Sequence, residues 1–130
     1  MKYLLALVML IASPAWAEWT KVAEGVEGTE LFVNYSTIRI EGSKRKVWQL
    51  TNFSTPKKTA LGREVLSLRA RVEFDCKQEQ QRLLSVSIFS QYFAGGEVVK
   101  TENDGTNWQD IPPDAVGWKI LQSVCKAPAR

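Results

Sequence analysis

Between Glu64 and Tyr92 apolar and polar residues alternate. Leu66, Leu68, Ala70, Val72, Phe74 and Cys76 are apolar, while Ser67, Arg69, Arg71, Glu73 and Asp75 between them are polar. This is the period-two pattern of a strand with one face in a core and one in water. After the polar turn Lys77-Gln78-Glu79-Gln80, the residues Leu84, Val86, Ile88, Ser90 and Tyr92 carry the alternation onto a second strand, and an antiparallel pair is predicted.

The rest of the chain reads as elements packed on this pair. Glu18 to Ala23 forms a short strand before Gly25 and Gly28. Glu30 to Glu41 is rich in β-formers, turns at Gly42-Ser43-Lys44 and returns over Arg45 to Phe53 as a hairpin. Residues 54–62, with Pro56, Lys57, Lys58 and Gly62, show no periodicity and read as an exposed loop. Ala94-Gly95-Gly96 supplies a tight hairpin into Glu97 to Thr101, and Asn103 to Thr106 turns the chain again.

Near the end the period changes. Pro112-Pro113 breaks the ladder, Asp114 is placed to cap a helix, and Trp118, Leu121, Val124 and Cys125 recur at helical spacing. One helix is predicted from about Ala115 to Cys125. The fold class is therefore α+β, a single antiparallel sheet of about six strands with one C-terminal helix. Such a sheet is roughly 24 to 29 Å wide, whereas a helix of this length is about 16 Å long and 10 Å across. One helix leaves apolar surface uncovered, with Leu83 and Phe89 on outer positions and Trp48, Phe53, Phe93 and Trp108 to be housed. A second copy of the chain, a homodimer, is expected to cover part of the second face.

Composition adds compartment and chemistry. Lys2, the apolar run Leu4 to Ala12 and Ala15-Trp16-Ala17 form a signal peptide over residues 1–17, cleaved before Glu18, leaving an exported domain of residues 18–130 with no membrane span. The residue directly after the cleavage site is Glu18 and not a cysteine, so the protein is expected in the periplasm or secreted, without a lipid anchor. In an oxidising compartment Cys76 and Cys125, the two cysteines of the chain, read as a disulfide clamping the helix to the sheet. The 17 basic and 14 acidic residues leave too small a surplus to indicate nucleic acid.

The chain has no histidine, which removes Ser-His-Asp and Cys-His catalysis and the usual zinc ligands. Glu73 and Asp75 follow Arg71 on what reads as an exposed strand face, where they balance its charge. Asn103 to Asn107 lacks the downstream glutamate of a calcium loop and reads as a turn. No catalytic residue, metal site or cofactor is expected. The residues that suit a binding surface are Lys57 and Lys58 in the long loop, Arg69 and Arg71 on one strand face, and Trp48 near them. The sequons at Asn34 and Asn52 fall in predicted strands and read as accidental.

The order of several pieces resembles the bacterial surface-adhesin protein E family. They are Trp19 to Val22, Leu31 to Arg39, Lys46 to Leu50, Val72 to Cys76, Arg82, Gly96 to Val99, Trp108, Ile111 to Pro113 and Cys125. The resemblance covers essentially residues 18–130. It implies an antiparallel sheet with a disulfide-tied C-terminal helix, a tendency to dimerise, and an exported role in binding host matrix or serum proteins. The reading is a non-enzymatic, adhesin-like binding module of the cell envelope, holding a host or envelope protein through a sheet face and basic loops. The alternative is a periplasmic inhibitor of a hydrolase such as lysozyme, for which Glu102-Asn103-Asp104 is the acidic candidate.

Overall fold

The first six strands of the sheet lie side by side in chain order. The computed structural model describes residues 18–128; the expected signal peptide, residues 1–17, lies outside them. The elements are β1 (Thr20–Glu24), β2 (Glu30–Glu41), β3 (Lys44–Lys58), β4 (Glu64–Asp75), β5 (Gln80–Phe89), β6 (Val98–Glu102), β7 (Gln109–Asp110) and α1 (Val116–Lys126), with a 3-10 turn at Val26–Gly28 between β1 and β2. Strands β1 to β6 form an antiparallel meander in that spatial order, and the two-residue β7 adds to β5 beside Gln80 and Gln81.

The inner face buries the helix. Val33, Val47, Ala70, Val72 and Phe74 meet Ile120, Leu121 and Val124 of α1, with Ile38 and Ile111 in the same cluster. An 11-residue helix is marginal alone, so this packing is what holds it. The Cys76–Cys125 disulfide ties its last turns to the end of β4, closing a separation of 49 residues. The helix starts one residue later than the periodicity suggests, and Asp114 is not its cap. The Ala115 N–H bonds the Pro112 carbonyl at 3.0 Å, which closes a turn over 112–115 and leaves Asp114 inside it. Ala115 takes the capping position, with no side-chain hydrogen bond.

Bulges correct several expectations of facing. Arg71 pairs Ser85 and Val72 pairs Leu83, so Leu84 is an extra residue on β5. The parity of β5 therefore changes there: Leu83 packs on the helix-side core instead of facing outward. On β3, Asn52 pairs Ser67 and Lys57 pairs Val65, so Phe53 to Pro56 stand opposite Leu66 alone. The strand resumes through Lys58, so Lys57 and Lys58 belong to β3 and not to a loop. Pro56 is accommodated in the bulge, where no ladder hydrogen bond is asked of its nitrogen.

The outer face is roofed in part by the chain itself. The Ser67 hydroxyl donates to the Gln91 carbonyl at 2.5 Å and accepts from the Ala94 N–H at 3.0 Å, and Asn52 Oδ1 accepts from the Phe93 N–H at 2.9 Å. These bonds draw the 90–97 turn over the sheet, where the Phe93 and Phe32 rings lie 5.3 Å apart. Phe32, Leu50 and Phe89 are buried. Gly96 is required in this turn: its φ is +70°, and a Cβ there would stand 2.3 Å from the Ser90 hydroxyl oxygen.

Candidate functional site

Register gathers the charge of the outer face. The two-residue hairpin pairs Glu41 with Lys44, which places Arg39 opposite Lys46. Lys46 in turn faces Glu73, which faces Arg82. In the next row Trp48 stands beside Arg71 and Ser85, and in the next Leu50 stands beside Arg69 and Ser87. Side chains two apart on a strand share a face, so Arg39, Lys46, Arg69, Arg71 and Arg82 project together with Glu73 as the carboxylate among them.

These cations differ in what holds them. Arg82 Nε donates to Glu73 Oε1 at 2.7 Å and its guanidinium lies 4.7 Å from the Trp108 ring centroid. Glu73 is only 2 % exposed beneath this pair, so it is a buried ion-pair partner and not an exposed counter-charge to Arg71. Asp75 is also buried. Its Oδ1 accepts from the N–H groups of Gln78 and Lys77, both at 3.0 Å, and from the Ser43 hydroxyl at 3.3 Å. The Gln78 bond first, then those from Lys77 and Ser43, hold its carboxyl below the usual range against the opposing effect of burial. It closes the β4–β5 turn.

Arg69 is sandwiched between Trp48 and Phe89, its guanidinium 5.4 Å and 5.2 Å from the two ring centroids. Its stack fixes the indole plane from one side. Arg39 and Arg71 make no ion pair among the described residues. They line an open groove of about 510 Å³ with Ser36, Thr37, Ile38 and Trp48.

A wide bulge builds the wall of this groove. Asn34 pairs Trp48 and Arg39 pairs Lys46, so Tyr35 to Ile38 stand opposite Val47 alone. Asn34 Oδ1 accepts from the Ser36 N–H at 3.1 Å and from the Ser36 hydroxyl at 2.6 Å. The Thr37 hydroxyl donates to the Asn34 carbonyl at 2.7 Å and accepts from the Trp48 N–H at 3.1 Å. Local Asn, Ser and Thr hydrogen bonds thus replace the strand ladder. Ile38 turns into the core, and Ser36 and Thr37 edge the groove. Asn34 is buried in this network and Asn52 under the 90–97 turn, which accords with the accidental reading of both sequons.

Of the residues singled out in the sequence, the structure brings Trp48, Arg69 and Arg71 together. Lys57 and Lys58 lie apart: Lys57 pairs Val65, six residues along β4 from Arg71, or roughly 20 Å at the usual rise. The Lys57 ammonium sits 5.8 Å from the Phe53 ring centroid. Arg39, Ser36 and Thr37 were not singled out. The hairpin register gives a signal for Arg39, whereas the bulge that exposes Ser36 and Thr37 has none in the periodicity. At the sheet edge the Glu102 carboxylate is paired with Lys100 at 2.9 Å. Among the described residues no cluster of three or more His, Cys, Asp or Glu could hold a metal, and no helix is long and apolar enough to cross a membrane.

Comparison with known proteins places this architecture. The solved structures it resembles include Haemophilus influenzae protein E, with a TM-score of 0.65 at 11% identity over 88% of this chain and 90% of that one. Crystal form II of the same protein gives 0.69 at 11% identity over 88% and 94%. Protein E from non-typeable Haemophilus influenzae gives 0.63 at 10% identity over 84% and 76%. At these identities the likeness is one of fold. Comparison with curated proteins gave no match. The family model described as surface-adhesin protein E matches residues 19–126, and with nearly the whole described chain inside that match, this chain belongs to the surface-adhesin protein E family.

Proposed function

We propose that this chain is an exported, non-enzymatic binding module of the bacterial cell envelope that holds a protein partner on the outer face of its sheet. Residues 1–17 act as a cleaved signal and residues 18–130 as the exported domain, periplasmic or secreted. The observation that carries the reading is the gathering of five cationic side chains and Trp48 into three neighbouring cross-strand rows. A chain with a net charge of only +3 thereby presents one strongly basic surface, of the kind that steers and orients an oppositely charged partner. Family membership supports an adhesive role. Lys57 and Lys58, at the far end of β3, serve as a rim to this surface. A homodimer is part of the same proposal, and light scattering of the oxidised protein tests it.

The function is tested by capture from envelope extract and from matrix proteins in parallel, at low and physiological salt. A saturable protein partner is expected, lost in an Arg39→Glu/Arg71→Glu variant that keeps its fold. Absence of a saturable partner in both pools contradicts the reading.

A further inference from the structure

We propose that the groove between Arg39 and Arg71 is a subsite for an extended acidic peptide, with two of its carboxylate side chains on the two guanidinium groups and an apolar side chain on Trp48. The inference rests on the proposed binding role and names the chemistry of the partner. Three features of the groove carry it.

The first is charge left uncompensated. The Glu73 carboxylate between the rows is taken up by Arg82, and Glu41, two residues beyond Arg39, forms no ion pair among the described residues. Arg39 and Arg71 therefore present free planar forks, the geometry that takes a carboxylate with two parallel hydrogen bonds. The second is spacing. Arg39 is on β2 and Arg71 on β4, with β3 between them and one cross-strand row of offset, so their backbones stand roughly 12 Å apart, two strand spacings across and two residues along. Side chains on one side of an extended peptide recur at about 7 Å and 13 Å, so carboxylates two to four residues apart reach both. The third is the floor. Trp48 is stiffened on one side by the Arg69 stack, and the groove wall of Ser36 and Thr37 is pinned by hydrogen bonds through Asn34 and the Trp48 N–H. Such a floor is prepared before binding, which lowers the ordering cost of association. An apolar indole between two guanidiniums favours a peptide that alternates acidic and apolar residues over a uniformly anionic chain.

The probe is a fluorescein-labelled decapeptide alternating Glu and Val, compared with the same peptide alternating Gln and Val, by fluorescence anisotropy on the oxidised protein. The Glu peptide is expected to bind at least tenfold more tightly than the Gln peptide. Arg39→Gln and Arg71→Gln should each weaken it about threefold or more, and the double variant at least tenfold. Lys119→Gln, on the exposed side of α1, should leave binding unchanged, and near-UV circular dichroism verifies that each variant is folded. Equal binding of the two peptides, or wild-type affinity in the folded double variant, overturns the proposal. A heparin hexasaccharide that binds more tightly than the Glu peptide and is lost in the double variant also overturns it, in favour of a sulfated glycan. If the peptide fails while a captured protein partner is still lost in Arg39→Glu/Arg71→Glu, the binding role stands and the acidic-peptide subsite falls.

Discussion

The two faces of one sheet are stabilised by different chemistry. On the inner face Val33, Val72 and Phe74 bury the apolar side of α1, and a covalent bridge secures it. On the outer face arginines lie on aromatic rings, Arg69 on Trp48 and Phe89 and Arg82 on Trp108, around one buried carboxylate. Apolar burial is non-directional and contributes the larger energy, so the inner face can hold the fold. Exposed cation–π contacts are worth about 0.5 to 1 kcal/mol each, too little to hold a domain but enough to orient side chains. The outer face can therefore be charged and open without loss of the fold.

Substitutions that separate the faces should rank accordingly. Replacing both bridge cysteines, Cys76→Ser with Cys125→Ser, is expected to cost roughly 4 kcal/mol, the chain-entropy value for a loop of this length. A urea melt reads it, and an unchanged midpoint would contradict the clamp. Leu121→Ala, which empties part of the inner core, should cost about 3 kcal/mol, seen as a lowered urea midpoint with unchanged slope. Arg69→Ala removes the two outer stacks and should cost about 1 to 2 kcal/mol, while weakening any ligand that rests on Trp48. A loss as large as that of Leu121→Ala would mean that the outer face is structural too.

Acid should expose a smaller difference at the edge of both faces. Because hydrogen bonds from Gln78, Lys77 and Ser43 hold Asp75 below its ordinary value, its contribution is complete above the unfolded carboxyl value of about 3.9 and is lost as pH falls through the lower folded one. The stability gap between the wild type and Asp75→Asn should be full near about pH 6 and shrink below about pH 4. A gap that stays constant over that range would show that the turn does not depend on the ionised carboxylate.

Much of the inner face was legible in the sequence, and the outer face less so. The alternation from Leu66 to Phe74 marks β4, and the spacing of Leu121 and Val124 marks α1, because each pattern runs uninterrupted through its element. Periodicity fails at bulges. An extra Leu84 sends Leu83 inward, and Pro56, read as a loop signal, sits in a bulge within β3. Asp114 looked like a cap because its residue type suits one, but the turn closed by the Pro112 carbonyl decides where the helix begins. Trp48, Arg69 and Arg71 could be grouped in advance because neighbouring strands keep them on one face. Arg39 required the hairpin register as well, and Glu73 looked exposed because nothing in β4 shows that Arg82 and Trp108 cover it.

The division of labour between the faces is tested most directly by an NMR titration of the isotope-labelled, oxidised protein with the Glu-Val decapeptide. Shifts confined to the Trp48 indole N–H, the Arg39 and Arg71 side chains and the Ser36 and Thr37 amides, with Val33, Val72 and Leu121 unmoved, are the predicted result. Shifts centred on α1 and the inner-face strands, or none at saturating peptide, would contradict the assignment of binding to the outer face.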